Sequence, residues 1–592
     1  MFRAETRGCE ALWNLGGSEK FIVMKNSRRR KQNRSGGIFK FILFLIFLGL
    51  IWIGFGRGFI AGHMPSAERK ELAEWLEVSG DEVRMYLNNE ADFTDTACYT
   101  GGKLYLPIDY VHDKLNSRFF WSDTDEMLSY TLPDETVDID MSSERDGALE
   151  LLERDGRYFV QADTVTAYSH IVINAFCGED EAAKRVFIDK SGTNELTASL
   201  KGRTRLRTKR DVRSPLLCEL DKGETVKVTD RNDTWCSVVT DTGYSGFVRT
   251  KKLSEPVEQT VPDNYAEPEV RHTLLGEKVV LAWHGIYGNA ANAELDGMIA
   301  DARSHINVIS PTWIQISGAD GSYINYSSRD YIAKAHAAGC KVWACVDNFN
   351  QTAAVSDFNT GTYFKSAANR RDFIARLMQD AASYGYDGFN LDFEGISPSA
   401  GESYAQFFRE LSVECRKAGI VLSVDNYVPY NFNDFYRMDE QGVFADYVVV
   451  MLYDEHTKEP GSNSSLQYVD YGLDECFKDV EPERTIAALP LYTRLWSTDS
   501  GGNSSSETMG LKTAAAYVES SGMTVEFDEL SGQKYAELVT GGNTKQLWLE
   551  DADSLAAKMN VVRENNAGGI ALWRLGYDTS DIWSVLDYRT QG

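Results

Sequence analysis

Asp392 and Glu394 stand two residues apart in the run Gly385-Tyr-Asp-Gly-Phe-Asn-Leu-Asp-Phe-Glu394. Tyr386, Phe389, Leu391 and Phe393 favour an extended backbone, and on a strand residues two apart share a face. Asn390, Asp392 and Glu394 therefore project together, with Phe389, Leu391 and Phe393 opposite. Two carboxylates on one strand face raise each other's pKa. A raised carboxyl keeps its proton near neutral pH, as a general acid must. A solvated acidic edge strand fits the run less well. The intervening residues are large and apolar, and Gly385 and Gly388 interrupt it as in a buried strand.

Such a strand needs a scaffold to position it. From Lys278 onward apolar runs recur at Val279–Trp283, Val308–Ile316, Lys341–Val346, Gly388–Phe393, Val421–Val424, Tyr447–Leu452, Thr485–Leu489 and Gly569–Trp573. Amphipathic stretches lie between them, among them Arg329–Ala338, Arg371–Tyr384, Ser403–Ala418 and Leu511–Glu519. Eight strands separated by helices predict an α/β chain ending in a (β/α)8 TIM barrel over 272–592. The runner-up, an open doubly wound sheet, would carry a Gly-rich phosphate loop, and the chain has none. In a barrel of this kind the active site forms at the C-terminal ends of the strands. Polar clusters sit at those ends, including Trp283-His284, Trp313, Asp347, Asp425 and His456. Trp313 and Trp343 read as core more readily than as sugar platforms, and the histidines as supporting or surface residues. Asp347 and Asp425 suit either sugar hydroxyls or helix caps.

With these residues in view, the run resembles the signature of glycoside hydrolase family 18, Asp-Gly-x-Asp-x-Asp-x-Glu, at Asp387, Gly388, Asn390, Asp392 and Glu394. Asn390 departs from it, standing where chitinases carry Asp; the departure is similar to the branch of spore-cortex and peptidoglycan glucosaminidases. Met451-Leu-Tyr-Asp454 resembles the family motif whose tyrosine, here Tyr453, faces the catalytic Glu394. Pro490-Leu-Tyr-Thr-Arg-Leu-Trp496 resembles a motif of the cell-wall branch, and the resemblance implies Tyr492, Arg494 and Asp454 as substrate-binding residues. Trp573 matches the tryptophan that floors the sugar at subsite −1, and Asn390 falls among the same substrate-binding residues. The resemblance implies a retaining, substrate-assisted hydrolase of glycans bearing N-acetyl groups, peptidoglycan before chitin, with Glu394, Asp392 and Tyr453 as its catalytic residues. It implies no cofactor. A non-catalytic, lectin-like barrel and a chitinase are the alternatives; joint retention of Glu394, Asp392 and Tyr453 favours the enzyme.

Charge divides the chain. The first 62 residues carry 11 Lys and Arg and 3 acids, a net +8, which leaves −35 for the remainder out of the total of −27. So acidic a body excludes nucleic acid and anionic surfaces as partners. Nine cysteines without a CxxC pair predict no zinc site, and Cys218 and Cys236 are too isolated a pair to signal a disulfide framework. Residues 1–37 read as a basic cytoplasmic segment, and Met24 opens Met-Lys-Asn-Ser-Arg-Arg-Arg like a natural start. Ile38–Phe55 carries one charge, Lys40, and predicts a transmembrane anchor over 38–56, with everything after Arg57 outside the cell. A cleaved signal peptide competes, but its cleavage site is poor.

Residues 57–89 read as a helical stalk, through Ala67–Leu76 and Glu82–Leu87. Residues 90–192 read as short strands. Gly101-Gly-Lys-Leu-Tyr-Leu-Pro-Ile108 and Phe119-Phe-Trp121 resemble the N-terminal domain of copper amine oxidases, without a copper ligand cluster. Residues 196–254, through Thr204–Arg207, Leu220–Val228, Asp233–Val238 and Gly243–Val248, resemble a bacterial SH3 domain. That resemblance implies cell-wall peptide as a partner, or else a structural β-barrel with Trp235 in its core. A polar linker over 255–271, with Pro256, Pro262 and Pro268, joins it to the barrel.

Overall fold

The computed structural model describes residues 35–53, 64–179, 181, 183–349 and 358–589. The basic segment before residue 35 and Met24 lie outside the described residues, as does the end of the expected anchor.

Eight parallel strands close into the expected barrel: β1 (Val279–His284), β2 (Val308–Pro311), β3 (Lys341–Asp347), β4 (Gly388–Asp392), β5 (Val421–Tyr427), β6 (Tyr447–Met451), β7 (Thr485–Pro490) and β8 (Gly569–Trp573). Closure pairs Val279 with Gly569 through to Ala282 with Leu572. A hairpin of Ile314–Ile316 and Tyr323–Asn325 is added beside the end of β3. Alternation along each strand makes two cores. Val279, Leu281 and Trp283 fill the barrel interior with Trp343 and Tyr447, whereas Val280 and Ala282 pack outward with the helix-facing residues. Trp313 and Trp343 are both fully buried, as core residues should be. Phe389, Leu391 and Phe393 join the outer core, where Phe364 stacks on Phe407 and both meet Phe393 at a tilt.

Two glycines fix β4. Gly385 takes φ +90° at the end of helix Ala367–Tyr384, a conformation that favours glycine. At Gly388 a Cβ would sit 2.6 Å from the Val421 carbonyl oxygen and 2.8 Å from Trp343, so only glycine lets β4 lie against its neighbours here.

Between β7 and β8 the chain inserts a five-stranded antiparallel sheet (Tyr492–Thr498, Ser504–Gly510, Thr524–Asp528, Gln533–Thr540 and Asn543–Leu549) and helix Leu511–Ser521. The helix is expected from the sequence; the sheet is not.

The stalk expectation is corrected. Only Leu72–Leu76 is helical, and Glu82–Leu87 is a central strand, antiparallel to Glu90–Thr100 and parallel to Arg185–Lys190. Its Arg84 is 3% exposed, with its guanidinium donating to the carbonyls of Leu76, Asp92 and Asp95. This module, residues 82–190, packs on the barrel. Asp125 accepts the backbone N–H of Ala367 at 2.7 Å, Gln406 donates to Thr131 at 3.0 Å, and Arg416 donates to the Pro133 carbonyl at 2.8 Å.

Residues 194–260 form a seven-stranded antiparallel sheet, in which Cys218 and Cys236 are free thiols. The linker is shorter than expected: Val257–Thr260 pairs with Asn194–Thr197 as an edge strand. Beyond it Asp263 meets His170 at 2.7 Å and Glu267 meets Arg118.

The apolar segment forms an α-helix over Ser35–Ile51, 17 residues, with Phe39 through Ile51 largely exposed. Among the described residues no helix is long and apolar enough to cross a membrane. Of the expected anchor over 38–56, the α-helix covers the part up to Ile51, and residues 54–56 lie outside the described residues.

Candidate active site

The strand ends β3, β4 and β5 bring four carboxyl groups together. Asp347 closes β3 directly beside Asp392, which closes β4. Asp425 lies on the next strand, two residues before the end of β5. All three are 2–7% exposed. Glu394 follows β4 after the strand has ended, and its backbone is held from both sides by Asn348. The Glu394 N–H donates to Asn348 Oδ1 at 2.9 Å, and Asn348 Nδ2 donates to the Glu394 carbonyl at 2.8 Å. The carboxylate itself accepts the Tyr427 hydroxyl at 2.5 Å.

Asp392, Glu394 and Asp425 face a cavity of about 130 Å³ at the strand ends. Tyr453 and Asp454 enter it from the end of β6, Tyr492 from the segment after β7, and Trp573 from the end of β8. Trp283, Phe349, Tyr427 and Met451 complete the lining. Trp283 meets Trp573 edge-on at 5.7 Å, and Tyr453 meets Tyr492 edge-on at 6.1 Å. Asp454 takes φ +61°, uncommon for a residue with a side chain, and its carboxylate accepts from Tyr492 at 2.5 Å and from Arg494 Nε at 3.2 Å.

Burial dominates the electrostatics. It pushes Asp392 well above the usual carboxylate range, with the Glu394 charge adding to the shift. Asp425 is raised by burial and then by Asp392, and Asp347 is pushed up to about 9 by the same two causes. Glu394 is raised by burial, against the hydrogen bond from Tyr427. The repulsion expected from sequence acts on Asp392, where the Glu394 charge is the second cause and desolvation the first, whereas the charge that raises Glu394 is that of Asp454. One oxygen each of Asp347, Asp392 and Asp425 is buried without a hydrogen-bond partner among the described residues. Such a group holds protons near neutral pH and is poised to answer a positive charge brought into the cavity.

Two expected substrate-binding residues are placed differently. Asn390 is fully buried below the cavity. It accepts from Trp283 Nε1 at 2.9 Å and Ser310 Oγ at 3.1 Å, and donates to Ser423 at 3.0 Å and to Asp425 at 2.6 Å. It sits too deep to meet a ligand, and its carboxylate partner is Asp425. Arg494 does not line the cavity and acts on it through Asp454. His284 is buried against Tyr331 at 2.9 Å, with its pKa pushed down to about 4 by burial and then by Arg574. His456 bonds the Ser462 carbonyl. Tyr427 is not foreseen from sequence, because the expected fifth strand ends at Val424. Carried to its structural end, that strand places both Asp425 and Tyr427 at the mouth.

Comparison with known proteins bears on this geometry. Residues 301–578 match the family model for glycosyl hydrolases family 18, and residues 202–254 that for the bacterial SH3 domain. An uncharacterized glycosylase, YvbX, of Bacillus subtilis is 25% identical over 286 residues, covering 45% of this chain and 80% of its own length. The cortical fragment-lytic enzyme of Bacillus anthracis is 24% identical over 238 residues, covering 38% of this chain. The match spans about half, 55%, of that enzyme. Among solved structures, the Bacillus cereus spore cortex-lytic enzyme SleL superposes with a TM-score of 0.47 at 19% identity, over 56% of this chain and 76% of its own. Residues 301–578 of the barrel thus carry the match to glycosyl hydrolases family 18, and the protein is a glycoside hydrolase with a match to the bacterial SH3 domain beside it.

Proposed function

We propose that the protein hydrolyses N-acetylglucosamine-containing glycan, peptidoglycan in particular, by a retaining route in which the substrate supplies the nucleophile. The observation that carries this reading is the convergence of Glu394, Asp392 and Tyr453 on one cavity at the strand ends. In this reading Glu394 protonates the glycosidic oxygen. The carbonyl oxygen of the −1 acetamide attacks the anomeric carbon and the leaving sugar departs. Asp392 orients the acetamide and balances the oxazolinium charge, Tyr453 donates to the same carbonyl oxygen, and Trp573 stacks on the sugar ring. Glu394 then deprotonates the water that reopens the ring. Asn390 acts from below, through Asp425 and Trp283.

Peptidoglycan is favoured over chitin by the cortex-lytic names among the relatives, by the SH3 domain and by Asn390 in the signature. The protein is further proposed to be held at the cell membrane by its N-terminal apolar segment, with the barrel outside. On this reading residues 90–192, the copper amine oxidase-like stretch, serve as a spacer.

Digesting purified peptidoglycan and chitin with residues 64–592, and sizing the products, tests substrate and soluble activity together. Release of N-acetylglucosamine-ended fragments from peptidoglycan is expected. Comparable cleavage of a substrate whose acetamide is replaced by hydroxyl, or a sugar trapped covalently on Asp392, would overturn the mechanism.

A further inference from the structure

Two arginines near the barrel mouth are used differently. Arg494 is tied to Asp454 at 2.5 Å. The Arg574 guanidinium makes no ion pair and no hydrogen bond among the described residues. It lies over the rings of Tyr577 at 4.3 Å and Tyr287 at 5.8 Å. Asp578, the nearest acid in sequence, accepts instead from the Gly576 N–H at 2.9 Å and from Trp583 Nε1 at 3.2 Å. In a chain of net charge −27 acids to pair Arg574 are plentiful, and none is placed there. The Tyr287 hydroxyl has no hydrogen-bond partner among the described residues either, and Tyr287 is 43% exposed.

Both side chains flank the catalytic cavity. Trp573, which precedes Arg574, lines that cavity and meets Trp283 edge-on at 5.7 Å. The Leu575 N–H donates to the Trp283 carbonyl at 3.0 Å, which fixes Arg574 against the end of β1. Just past that end, the point that a Cβ on Gly285 would occupy lies 3.0 Å from Arg574 Nη1 and 3.0 Å from the Tyr287 hydroxyl oxygen. Two free donors thus converge over bare backbone. A guanidinium fork with a hydroxyl beside it matches a planar oxyanion, which accepts two parallel N–H bonds and one more from the O–H. This spot lies by β8 and β1, whereas Glu394 follows β4, halfway around the closed barrel. The general acid stands on the side of the departing sugar, so Arg574 and Tyr287 face the sugars that stay.

We infer that Arg574 and Tyr287 bind a free carboxylate on the sugar next to the −1 ring, on the side that does not depart. The identity of that sugar rests on the proposed function. Peptidoglycan alternates N-acetylglucosamine with N-acetylmuramic acid, whose lactyl ether ends in a carboxyl group. With N-acetylglucosamine at −1, the next sugar is N-acetylmuramic acid. Where a stem peptide is attached, its carboxyl is an uncharged amide; where none is attached, it is the oxyanion these donors match. The reaction class that supplies this substrate is therefore amide hydrolysis. Water adds across the lactyl–peptide C–N bond, leaving the carboxylate on the glycan and the amine on the released peptide. The barrel then cuts glycan already stripped of its peptides.

The test uses oligosaccharides of alternating N-acetylglucosamine and N-acetylmuramic acid, with the lactyl groups either as free acids or as methyl amides. Affinity is measured by calorimetry on the full-length chain in detergent carrying Glu394→Gln, and turnover on the wild type. The acid is expected to bind about tenfold or more tightly than the amide, the difference made by one charge-assisted hydrogen bond. Adding Arg574→Gln should bring the ratio of the two affinities close to one. Arg574→Lys, which keeps the charge without the fork, should retain part of it. Equal binding of acid and amide, or an unaltered ratio with Arg574→Gln, would overturn the inference. Cleavage of both forms with equal kcat/KM would sink this site and leave the proposed substrate standing. Preferential binding of the acid without any turnover by the wild type would leave the site standing and sink the proposed substrate.

Discussion

Glu440 and Asp425 are both buried carboxylates, 6% and 2% exposed, and the chain treats them in opposite ways. Glu440 lies where the barrel helices meet the 82–190 module. It receives Arg409 at 2.8 Å and Arg118 at 3.0 Å, with Arg437 at 3.6 Å. Burial pushes its pKa up, but the three guanidinium groups outweigh burial and hold it below the usual value. Nearby, Glu410 pairs with the fully buried Arg370 at 2.9 Å. Under the barrel mouth Asp347, Asp392 and Asp425 have no cation at ion-pair distance among the described residues, and all are raised. A buried charge costs several kcal/mol unless it is paired or neutralised by a proton. The seam uses pairing, which fixes structure. The mouth uses protons, which leaves its acids free to respond to a ligand. Of these two regions, the working end of the barrel holds its buried acids without cations, and the joint with the 82–190 module holds them with cations.

Exchanging one acid in each region sharpens that contrast. Glu394→Gln removes the proton donor while keeping its size, and hydrolysis should fall on the order of 10²–10⁴-fold with the unfolding midpoint nearly unchanged. Near-normal turnover would show that Glu394 is not the acid. Glu440→Gln should do the reverse. It strands buried guanidinium groups and should lower stability by about 3–5 kcal/mol in denaturant unfolding, with turnover per folded molecule retained.

Tyr453→Phe is expected to cost about 1–3 kcal/mol, read both in kcat and in affinity for a thiazoline mimic of the bicyclic intermediate. Loss in only one of the two would separate the tyrosine from the intermediate. The smallest effect concerns pH. Asp347 has a folded pKa of about 9, above its unfolded value. It therefore contributes stability below about pH 4 that is lost as pH rises toward 9. Asp347→Asn should raise the melting temperature at pH 8 relative to wild type and change it less at pH 4. A variant equally shifted at both pH values would count against an unpaired, protonated Asp347.

Much of the barrel is legible in the sequence because its strands are buried on both faces. Runs such as Tyr447–Met451 and Thr485–Pro490 are almost wholly apolar, a parallel-sheet pattern. The acids at residues 392 and 394 are legible for the same reason, as polar residues closing an apolar run. Glu82–Leu87 reads as helix because Arg84 lies inside it; a charge in a short apolar run resembles the outer face of a helix until its four carbonyl partners, on Leu76, Glu77, Asp92 and Asp95, are known. The role of Asn390 is illegible, since spacing along β4 places it near Asp392 while its partner, Asp425, comes from the adjacent strand. The inserted sheet after β7 pairs its own strands with one another and leaves no mark in the barrel's alternation.

The connection between the SH3 domain and the barrel has a consequence for reach. Its first residues form an edge strand, Asp263 and Glu267 engage His170 and Arg118, and the N–H of Thr273 donates to Asp446 on the barrel at 2.7 Å. A loose tether would let the cutting site sweep a volume set by its contour length. Here the path from residue 64 to the barrel is filled by packed protein, so the chain acts as a ruler. The cutting site therefore keeps one distance from residue 64, and only glycan at that distance from this end of the body comes within its reach.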